Sequence, residues 1–300
     1  MTRTGFPSNA GGPQGSGMIG SVVAGFDGSP QSSGAAYWAA READLRAAPL
    51  RLIHVQEPSA PGHVFRAPGS RSRRSAQHLL AQTADELRRT FPALDISIHS
   101  VDGTPIDVLS ESAAGSDLVV LGSRALGTVM GFVLGSVSMA VIGASNCPVV
   151  SVRAESDASS GDLVVGVDVR QHCEALVRFA FDEAEQRGCG IRFLSAWALP
   201  SLVGYGAAYD PEVHAQLEMS AKATLDDVLM PWKKQYPDVR TTAQANVGHA
   251  ATQLVDGGRE AGLTVVGRRV RDSSLGTHIG PVAHAVLHHA RTPVVVVPLT

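Results

Sequence analysis

Two segments of the chain carry glycines and polar residues in an order that could bind phosphate. In VAGFDGSPQSS (23–33), Gly25 and then the carboxylate of Asp27 follow an apolar run. Residues 122–142 contain four glycines followed by a serine: Gly122, Gly127, Gly131, Gly135 and Ser136. Glycines let consecutive backbone N–H groups face a ligand, and a helix that begins at the serine adds unpaired N–H groups and the positive end of its dipole. These segments predict a site where Ser136 donates to a terminal phosphate and Asp27 accepts from a ribose hydroxyl or holds a bridging metal.

The same glycines are also consistent with a plain glycine-rich connection that ends in a serine helix cap. The sequence contains no G-x-x-x-x-G-K-[ST] motif and no Gly-Lys pair, so it lacks the lysine with which P-loop proteins clamp phosphates. It also contains no G-x-S-x-G motif of the α/β-hydrolases. We therefore expect little or no turnover of a bound nucleotide and assign no catalytic residue.

The chain consists of two related halves. The apolar run that ends at Asp27 recurs at Asp168, at an offset of 141 residues. Later in each half the offset becomes 145, because DLVVLGSR (117–124) corresponds to GLTVVGRR (262–269). Such self-similarity indicates a repeated structural unit. The second half therefore contains counterparts of four residues of the two segments, Gly25, Asp27, Gly122 and Gly135, at Gly166, Asp168, Gly267 and Gly280.

Each half alternates apolar strands with amphipathic helices. Strands such as VVAGF and DLVVLG are nearly continuous apolar runs, which is typical of parallel strands buried on both faces. Helical spacing of apolar residues predicts helices between them, with Leu80 and Leu87 on a buried face in the first half and Leu217 and Leu225 in the second. The pattern predicts an α/β fold of two tandem, doubly wound, five-stranded parallel-sheet (Rossmann-like) domains related by pseudo-two-fold symmetry.

The domain boundaries follow from composition. We expect a flexible tail at 1–18, a first domain at 19–153, a polar linker at 154–161 and a second domain at 162–300. The last strand of each half, PVVSV or PVVVV, has no helix after it, so we expect these two strands to pair within the chain. Further association into a homodimer stays open. Ligands of open parallel sheets bind at the carboxyl ends of the strands, where the two phosphate-binding segments should meet.

Composition excludes several classes of protein. The 300 residues are 44% hydrophobic and 18% charged, which is typical of globular proteins. A net charge of −3, with no aromatic residues among the clustered arginines, argues against nucleic-acid binding, and no apolar segment is long enough to span a membrane. Three cysteines without a C-x-x-C pair fit a reducing cytoplasm. His284, His288 and His289 lack a third-ligand partner elsewhere in the sequence, which favours a polar helix face over a metal site.

Together these motifs resemble the universal stress protein family. Its motif after the fourth strand is Gly-x2-Gly-x9-Gly-Ser/Thr, and the chain has this spacing from Gly122 to Gly135 and Ser136, with Ala125 at the second glycine. The opening VAGFDGSPQS (23–32) and a closing strand of the CPVVSV type are also typical. The resemblance extends over both halves from residue 19 onward and is to tandem-domain members of the kind common in actinobacteria.

ATP-binding members of that family hold adenine near the ends of strands one and two and the phosphates in the glycine loop. By position, the resemblance implies ATP, with or without Mg²⁺, at thirteen residues of the first half: Gly25, Asp27, Val55, Gly122, Ser123, Arg124, Ala125, Leu126, Gly127, Thr128, Gly135, Ser136 and Val137. In the second half Val270 replaces the second glycine and Pro281 replaces the serine, which removes an N–H and a hydroxyl. We therefore expect ATP mainly in the first domain, and weak or no binding in the second, where the resemblance implies Gly166, Asp168, Ala196, Gly267 and Gly280.

Three functions from different classes stay open. The first is a regulatory, ATP-binding stress-response protein that is at most a very weak ATPase. The second is a structural or partner-binding module whose nucleotide sites have decayed, which Ala125, Val270 and Pro281 favour. The third is an enzyme of the wider adenine-nucleotide α-hydrolase group, which would need a histidine pair or a pyrophosphate-binding loop that the sequence does not show.

Overall fold

The computed structural model describes residues 20–57, 73–125, 132–133, 135–153, 161–197, 211–270 and 279–299. The first half alternates strands and helices along the chain: β1 (Ser21–Gly25), α1 (Pro30–Leu45), β2 (Leu50–Gln56), α2 (Arg73–Thr90), β3 (Ile96–Asp102), α3 (Pro105–Ala113), β4 (Ser116–Ala125), β5 (Phe132–Val133), α4 (Ser136–Ala144) and β6 (Val149–Arg153). The second half repeats this order without a counterpart of β5 in its described part: β7 (Leu163–Gly166), α5 (Glu174–Arg187), β8 (Ile191–Trp197), α6 (Pro211–Gln235), β9 (Thr241–Val247), α7 (Ala250–Gly257), β10 (Leu263–Arg269), α8 (Pro281–His289) and β11 (Val294–Leu299).

The strands form one continuous sheet in the order β3-β2-β1-β4-β6-β11-β10-β7-β8-β9, and the short β5 pairs with β4. Neighbours within each half of this order are parallel. At the centre β6 and β11 pair antiparallel, with Val150 opposite Val295. The predicted doubly wound halves, and the predicted pairing of their last strands, are confirmed. The antiparallel junction relates the halves by a pseudo-two-fold axis.

Helices cover both faces of the sheet. One apolar cluster joins the sheet to α1, α2, α5 and α6, through residues such as Leu80 and Phe181. A second cluster on the opposite face contains residues of α3, α4, α7 and α8, such as Val141 and Leu254. Each cluster includes residues of both halves, so the halves share their core. Burial from both sides explains why the central strands are apolar at consecutive positions.

Helix α6 departs from the sequence prediction at its N-terminal end. Leu225 is fully buried as predicted, but Leu217 is 41% exposed. Met219, two residues later, is 64% exposed. A helix of 25 residues is longer than the strands it covers, so its first turns extend beyond the sheet and have no core to pack against.

Four charged residues join the two halves on one face of the sheet. Glu42 lies in α1 and Arg46 is the C-cap residue directly after that helix, and Glu183 and Arg187 are their counterparts in α5 at the 141-residue offset. Each arginine pairs with the glutamate of its own half and with the glutamate of the other half. Glu42 and Glu183 are 2% and 1% exposed. We call these residues the interhelical quartet. Its two carboxylates and two guanidinium groups carry equal and opposite charge and occupy a buried part of the junction between the halves.

Cys147, Cys173 and Cys189 are unpaired thiols. Cys147 is buried, and burial raises the pKa of its thiol to about 12. Within the described ranges, no helix combines the length and apolar character that crossing a membrane requires.

Candidate functional site

A cavity of about 320 Å³ lies at the carboxyl ends of β1, β2 and β4. The N-termini of α1, α3 and α4 surround it, as the strand order of a doubly wound sheet requires. The walls contain seven of the residues that the sequence predicts for the first site: Gly25, Asp27, Val55, Gly122, Gly135, Ser136 and Val137. We call it the first cavity. Two segments that are about 100 residues apart in the chain therefore meet, as predicted.

The first turn of α1 fixes the carboxylate of Asp27 at this cavity. Ser29 is the N-cap of the helix, and its hydroxyl accepts a hydrogen bond from the Ser32 N–H at 3.2 Å. Asp27 Oδ1 in turn accepts from the Ser29 N–H at 2.9 Å. Gly28 has a φ of 78°, which glycine adopts without strain and which reverses the chain between Asp27 and the cap. The Asp27 side chain is exposed, so it can still contact a ligand at the cavity mouth.

The N-terminus of α4 offers backbone N–H groups without a competing side chain. Its N-cap is Gly135, which makes no side-chain cap hydrogen bond, and no acidic residue lies in the first turn. Apart from its chain neighbours, no atom of the described residues lies within 4 Å of the position that a Cβ on Gly135 would take. Ser136 is exposed at the first helical position. Unpaired N–H groups at a helix N-terminus attract anions, so this part of the site can bind a phosphate group.

Gly122 serves packing rather than the loop conformation that the sequence suggests. Strand β4 continues to Ala125, so residues 122–125 belong to a strand and not to the predicted loop. A Cβ on Gly122 would lie 2.6 Å from the backbone of Gln31. The glycine therefore lets the first turn of α1 approach β4 closely. Ala125 has strand backbone, where alanine is tolerated as glycine is, so the missing glycine does not damage this position.

Not all predicted residues reach the first cavity. The Ser123 hydroxyl is buried and donates to the Val152 carbonyl of β6 at 3.2 Å, away from the cavity. Leu126, Gly127 and Thr128 lie outside the described residues, as do the side chains of Arg124 and Ala125. Other lining residues were not predicted: Phe26, Ser29, Gln31, Ser32, Ile53, Pro105, Leu109, Leu121 and Ser138. The Ser-Pro-x-Ser start of α1 is a helix-capping signal that could have identified Ser29 and Ser32.

A second cavity of about 400 Å³ lies at the equivalent edge of the other half. All five predicted counterparts line it: Gly166, Asp168, Ala196, Gly267 and Gly280. Its shape differs because α5 begins later than α1. Pro30 starts α1, whereas α5 starts at Glu174, the counterpart of Ser33. A Cβ on Gly267 would meet the Leu299 side chain at 2.7 Å, and not the backbone of a helix turn as at Gly122.

The carboxylate of Asp168 is held by its own neighbours. Arg170 donates to it from Nε at 2.9 Å and from Nη2 at 3.2 Å, and Gln171 Nε2 donates at 2.5 Å. Burial alone would raise the pKa of this carboxyl, but hydrogen bonds from Arg170 and Gln171, together with the charge of Arg170, hold the pKa below its ordinary value. Asp168 is therefore ionised at neutral pH and already bound to a guanidinium. Arg170, Gln171 and Arg269 at this cavity were not predicted.

Helix α8 begins as the sequence predicts, with Gly280 as N-cap and Pro281 at the first position. His284 and His288 lie farther along it, with ring centroids 4.4 Å apart. Burial first, and then the charges of His288 and His289, lower the pKa of His284. Within the part of the chain that the structure describes, no group of three or more metal-ligating side chains is placed to hold an ion.

Comparisons with known proteins agree with this architecture. The model of the Universal stress protein family matches residues 18–153 and again 161–298. A universal stress protein of Mycobacterium tuberculosis is 30% identical over 286 residues, covering 92% of this chain and 96% of that protein. One of Mycobacterium bovis is 31% identical over 297 residues, covering 92% and 94%. The crystal structure of a universal stress protein from Archaeoglobus fulgidus superposes with a TM-score of 0.65 at 13% identity, covering 94% of this chain and all of that one. Two matches in tandem cover most of the sequence, and the chain belongs to the universal stress protein family.

Proposed function

We propose that the first cavity binds ATP and that the chain is a regulatory stress-response protein. The observation that carries the proposal is the meeting of Asp27 with the open N-terminus of α4 at one cavity. Asp27 would accept hydrogen bonds from ribose hydroxyls, and Val55 at the end of β2 would contact the adenine. The N–H groups at Ser136 and Val137 would bind the phosphates, with help from the Ser136 hydroxyl.

Charge balance favours ATP with Mg²⁺. Asp27 is the one charged side chain among the described residues that line the first cavity. A tetraanionic nucleotide beside a carboxylate is unfavourable unless a cation reduces the repulsion. Asp27 and the phosphate oxygens are the hard oxygen ligands that Mg²⁺ prefers, so the residues present fit this ion. When bound, Mg²⁺ would neutralise phosphate charge.

The site supports binding rather than turnover. Attack on a γ-phosphate needs a group that orients water and a cation that stabilises the transferred charge. Among the described lining residues of the first cavity, Asp27 is the single titratable side chain, and its position beside the N-cap of α1 suits sugar binding. We therefore propose little or no hydrolysis, and a cytoplasmic location in keeping with three unpaired thiols.

A partner-binding module with decayed nucleotide sites is the competing function. Ala125 favours it only if the backbone there must be left-handed, and the extended conformation in β4 removes that argument for the first half. Val270 and Pro281 concern the second half alone. The first cavity retains its cap, its carboxylate and its open helix end, which supports ATP binding over decay.

Calorimetric titration of the full chain with Mg-ATP tests the proposal. We expect wild type to bind one nucleotide, and Ser136→Pro to bind at least roughly tenfold more weakly, because proline removes an N–H and the hydroxyl that a phosphate would use. Proline is well tolerated at a first helical position, as Pro281 already illustrates, so the variant should fold. Pro281→Ser is the matched control and should leave the affinity of the first cavity unchanged.

A second pair of variants assigns the nucleotide to one half. Val55→Phe fills the first cavity and Ala196→Phe fills the second at the corresponding position. Saturating ATP should raise the unfolding temperature of wild type and of Ala196→Phe, but not that of Val55→Phe, because a ligand that binds only the native state stabilises it. Loss of the effect in Ala196→Phe alone would place the nucleotide in the second half. No binding by wild type would favour the partner-binding module.

A further inference from the structure

We propose that the second cavity binds a small organic anion with an apolar body, and not a nucleoside triphosphate. The cavity is larger than the first, at about 400 Å³ against about 320 Å³. Much of its wall is aliphatic, with residues from three strands and two helices: Leu176, Leu194, Ala196, Leu254, Val266 and Leu299. Burying apolar ligand surface against such a wall is favourable without any phosphate contact.

The charge at this cavity is opposite to that at the first. Its described charged lining residues are Arg170, Arg269 and Asp168, which leaves one net positive charge when all three are ionised. The first cavity has Asp27 alone. Arg269 donates to the Gln171 amide oxygen at 2.5 Å through Nε, so its two terminal nitrogens can still donate to a ligand. A single carboxylate, sulfonate or phosphate monoester group suits such a guanidinium.

The wall of the second cavity contains a buried hydrogen-bond acceptor, the amide oxygen of Gln253. Gln253 lines the cavity, and its Nε2 donates to the Val247 carbonyl at 3.0 Å, which fixes the orientation of the amide. Its Oε1 is buried and has no hydrogen-bond partner among the described residues. Val108 occupies the corresponding position of the first half, so this acceptor is particular to the second cavity. Oε1 itself is covered in the empty cavity, so a ligand N–H or O–H would satisfy it after a small shift of the amide, and would then recover a desolvation cost.

The same features disfavour a triphosphate. Asp168 already accepts hydrogen bonds from Arg170 and Gln171, so a ribose would have to compete with a guanidinium. Pro281 lacks the N–H that the first position of α4 provides. The polar groups of the second cavity thus match one anionic group and one donor on an apolar molecule.

Two fluorescent probes that differ by one sulfonate group test this inference on the full chain. Anilinonaphthalene sulfonate has an aromatic body, an N–H and one sulfonate, and N-phenyl-1-naphthylamine is the same molecule without the sulfonate. We expect wild type to bind the sulfonate probe at one site, and Ala196→Phe to weaken it by at least roughly tenfold while Val55→Phe leaves it unchanged. Saturating Mg-ATP should not displace it, whether or not the first cavity binds the nucleotide.

Single-residue variants then separate the two polar features. Arg269→Gln should lower the affinity for the sulfonate probe roughly tenfold and leave the neutral probe unchanged, and Gln253→Leu should weaken both probes alike. Circular dichroism confirms that each variant is folded. Binding that survives Ala196→Phe, or that Val55→Phe abolishes equally, would overturn the location. Displacement by ATP, or equal loss of both probes in Arg269→Gln, would overturn the ligand class.

Discussion

Replacing Arg187 by methionine should destabilise the whole chain, since Arg187 pairs with both buried glutamates of the interhelical quartet. The variant leaves Glu42 and Glu183, 2% and 1% exposed, with Arg46 as their shared cation. Removing one partner of a buried ion pair costs about 3–5 kcal/mol, because an uncompensated charge stays in the interior. At about 2–4 °C per kcal/mol, the midpoint of thermal unfolding should fall by about 6–20 °C.

Urea and thermal unfolding of the full chain at pH 7.5 would measure this loss. Arg259→Met is the matched control, because its partner Asp256 is exposed and such a pair contributes at most about 1 kcal/mol. Replacing all four quartet residues by leucine and methionine should recover most of the stability, since an apolar set of similar volume avoids the desolvation of charge. A loss below about 1 kcal/mol in Arg187→Met would refute the reasoning that these carboxylates are buried and depend on both guanidinium groups.

Burial, and then the charge of Glu42, raise the pKa of Glu183 from 4.5 to about 7, so between these pH values the folded state holds a proton that the unfolded state loses. The free energy of unfolding should therefore fall as the pH rises from 4.5 to about 7. Glu183→Gln should flatten this part of a profile of unfolding free energy against pH. Gly122→Val should lower the unfolding temperature and weaken ATP binding in calorimetry, because its Cβ would lie 2.6 Å from the α1 backbone. Gly115→Ala is the control and should change neither quantity, because a Cβ on Gly115 meets no atom of the described residues within 4 Å. Iodoacetamide should alkylate Cys147 far more slowly than Cys189, as peptide mass spectrometry would show, because Cys147 is buried with a thiol pKa of about 12 whereas Cys189 is half-buried.

The sheet was predictable from sequence because its central strands are apolar at consecutive positions, which few arrangements other than a parallel sheet between two helix layers can bury. Leu118, Val119 and Val120 are consecutive and fully buried, which happens when helices cover both faces of a parallel strand. The offset between the halves then assigned the same order to both. Among the described residues, no helix follows β6 or β11 within its own half. Pairing of these two strands across the junction therefore covers the apolar edge that each half would otherwise expose.

The prediction of a loop at Gly122 shows where residue type alone gives the wrong local structure. Gly122 was predicted to begin a loop, because glycine is permissive and four glycines follow one another closely. In the structure it lies inside β4 and makes room for α1. Glycine in a strand often marks a close approach of another backbone, but the approaching segment, Gln31 and Ser32, is about 90 residues away in the chain. A local pattern cannot name such a partner.

The repeat predicts the position of the second cavity but not the chemical character of its wall. All five aligned positions line it, so the offset gave its place correctly. Its character comes from Arg170, Gln253, Arg269 and Leu299, which are not part of the glycine pattern. After Asp168 the sequence has Val-Arg-Gln in place of the Gly-Ser-Pro that follows Asp27 and contains the N-cap serine of α1. The sequence did not show that the later start of α5 would open space that a remote C-terminal leucine borders.

The two cavities therefore separate what the fold determines from what individual side chains determine. Parallel strands with helices on both faces place a pocket at each carboxyl edge whatever the side chains are. At the first pocket the polar groups are largely backbone N–H groups at helix ends, and these recognise phosphate oxygens with little regard to what carries them. At the second, a proline, a guanidinium already bound to its carboxylate and a buried amide oxygen take their place. Selection there rests on one charge, one donor and apolar area, so two ligands of unlike chemistry can bind one chain without competing.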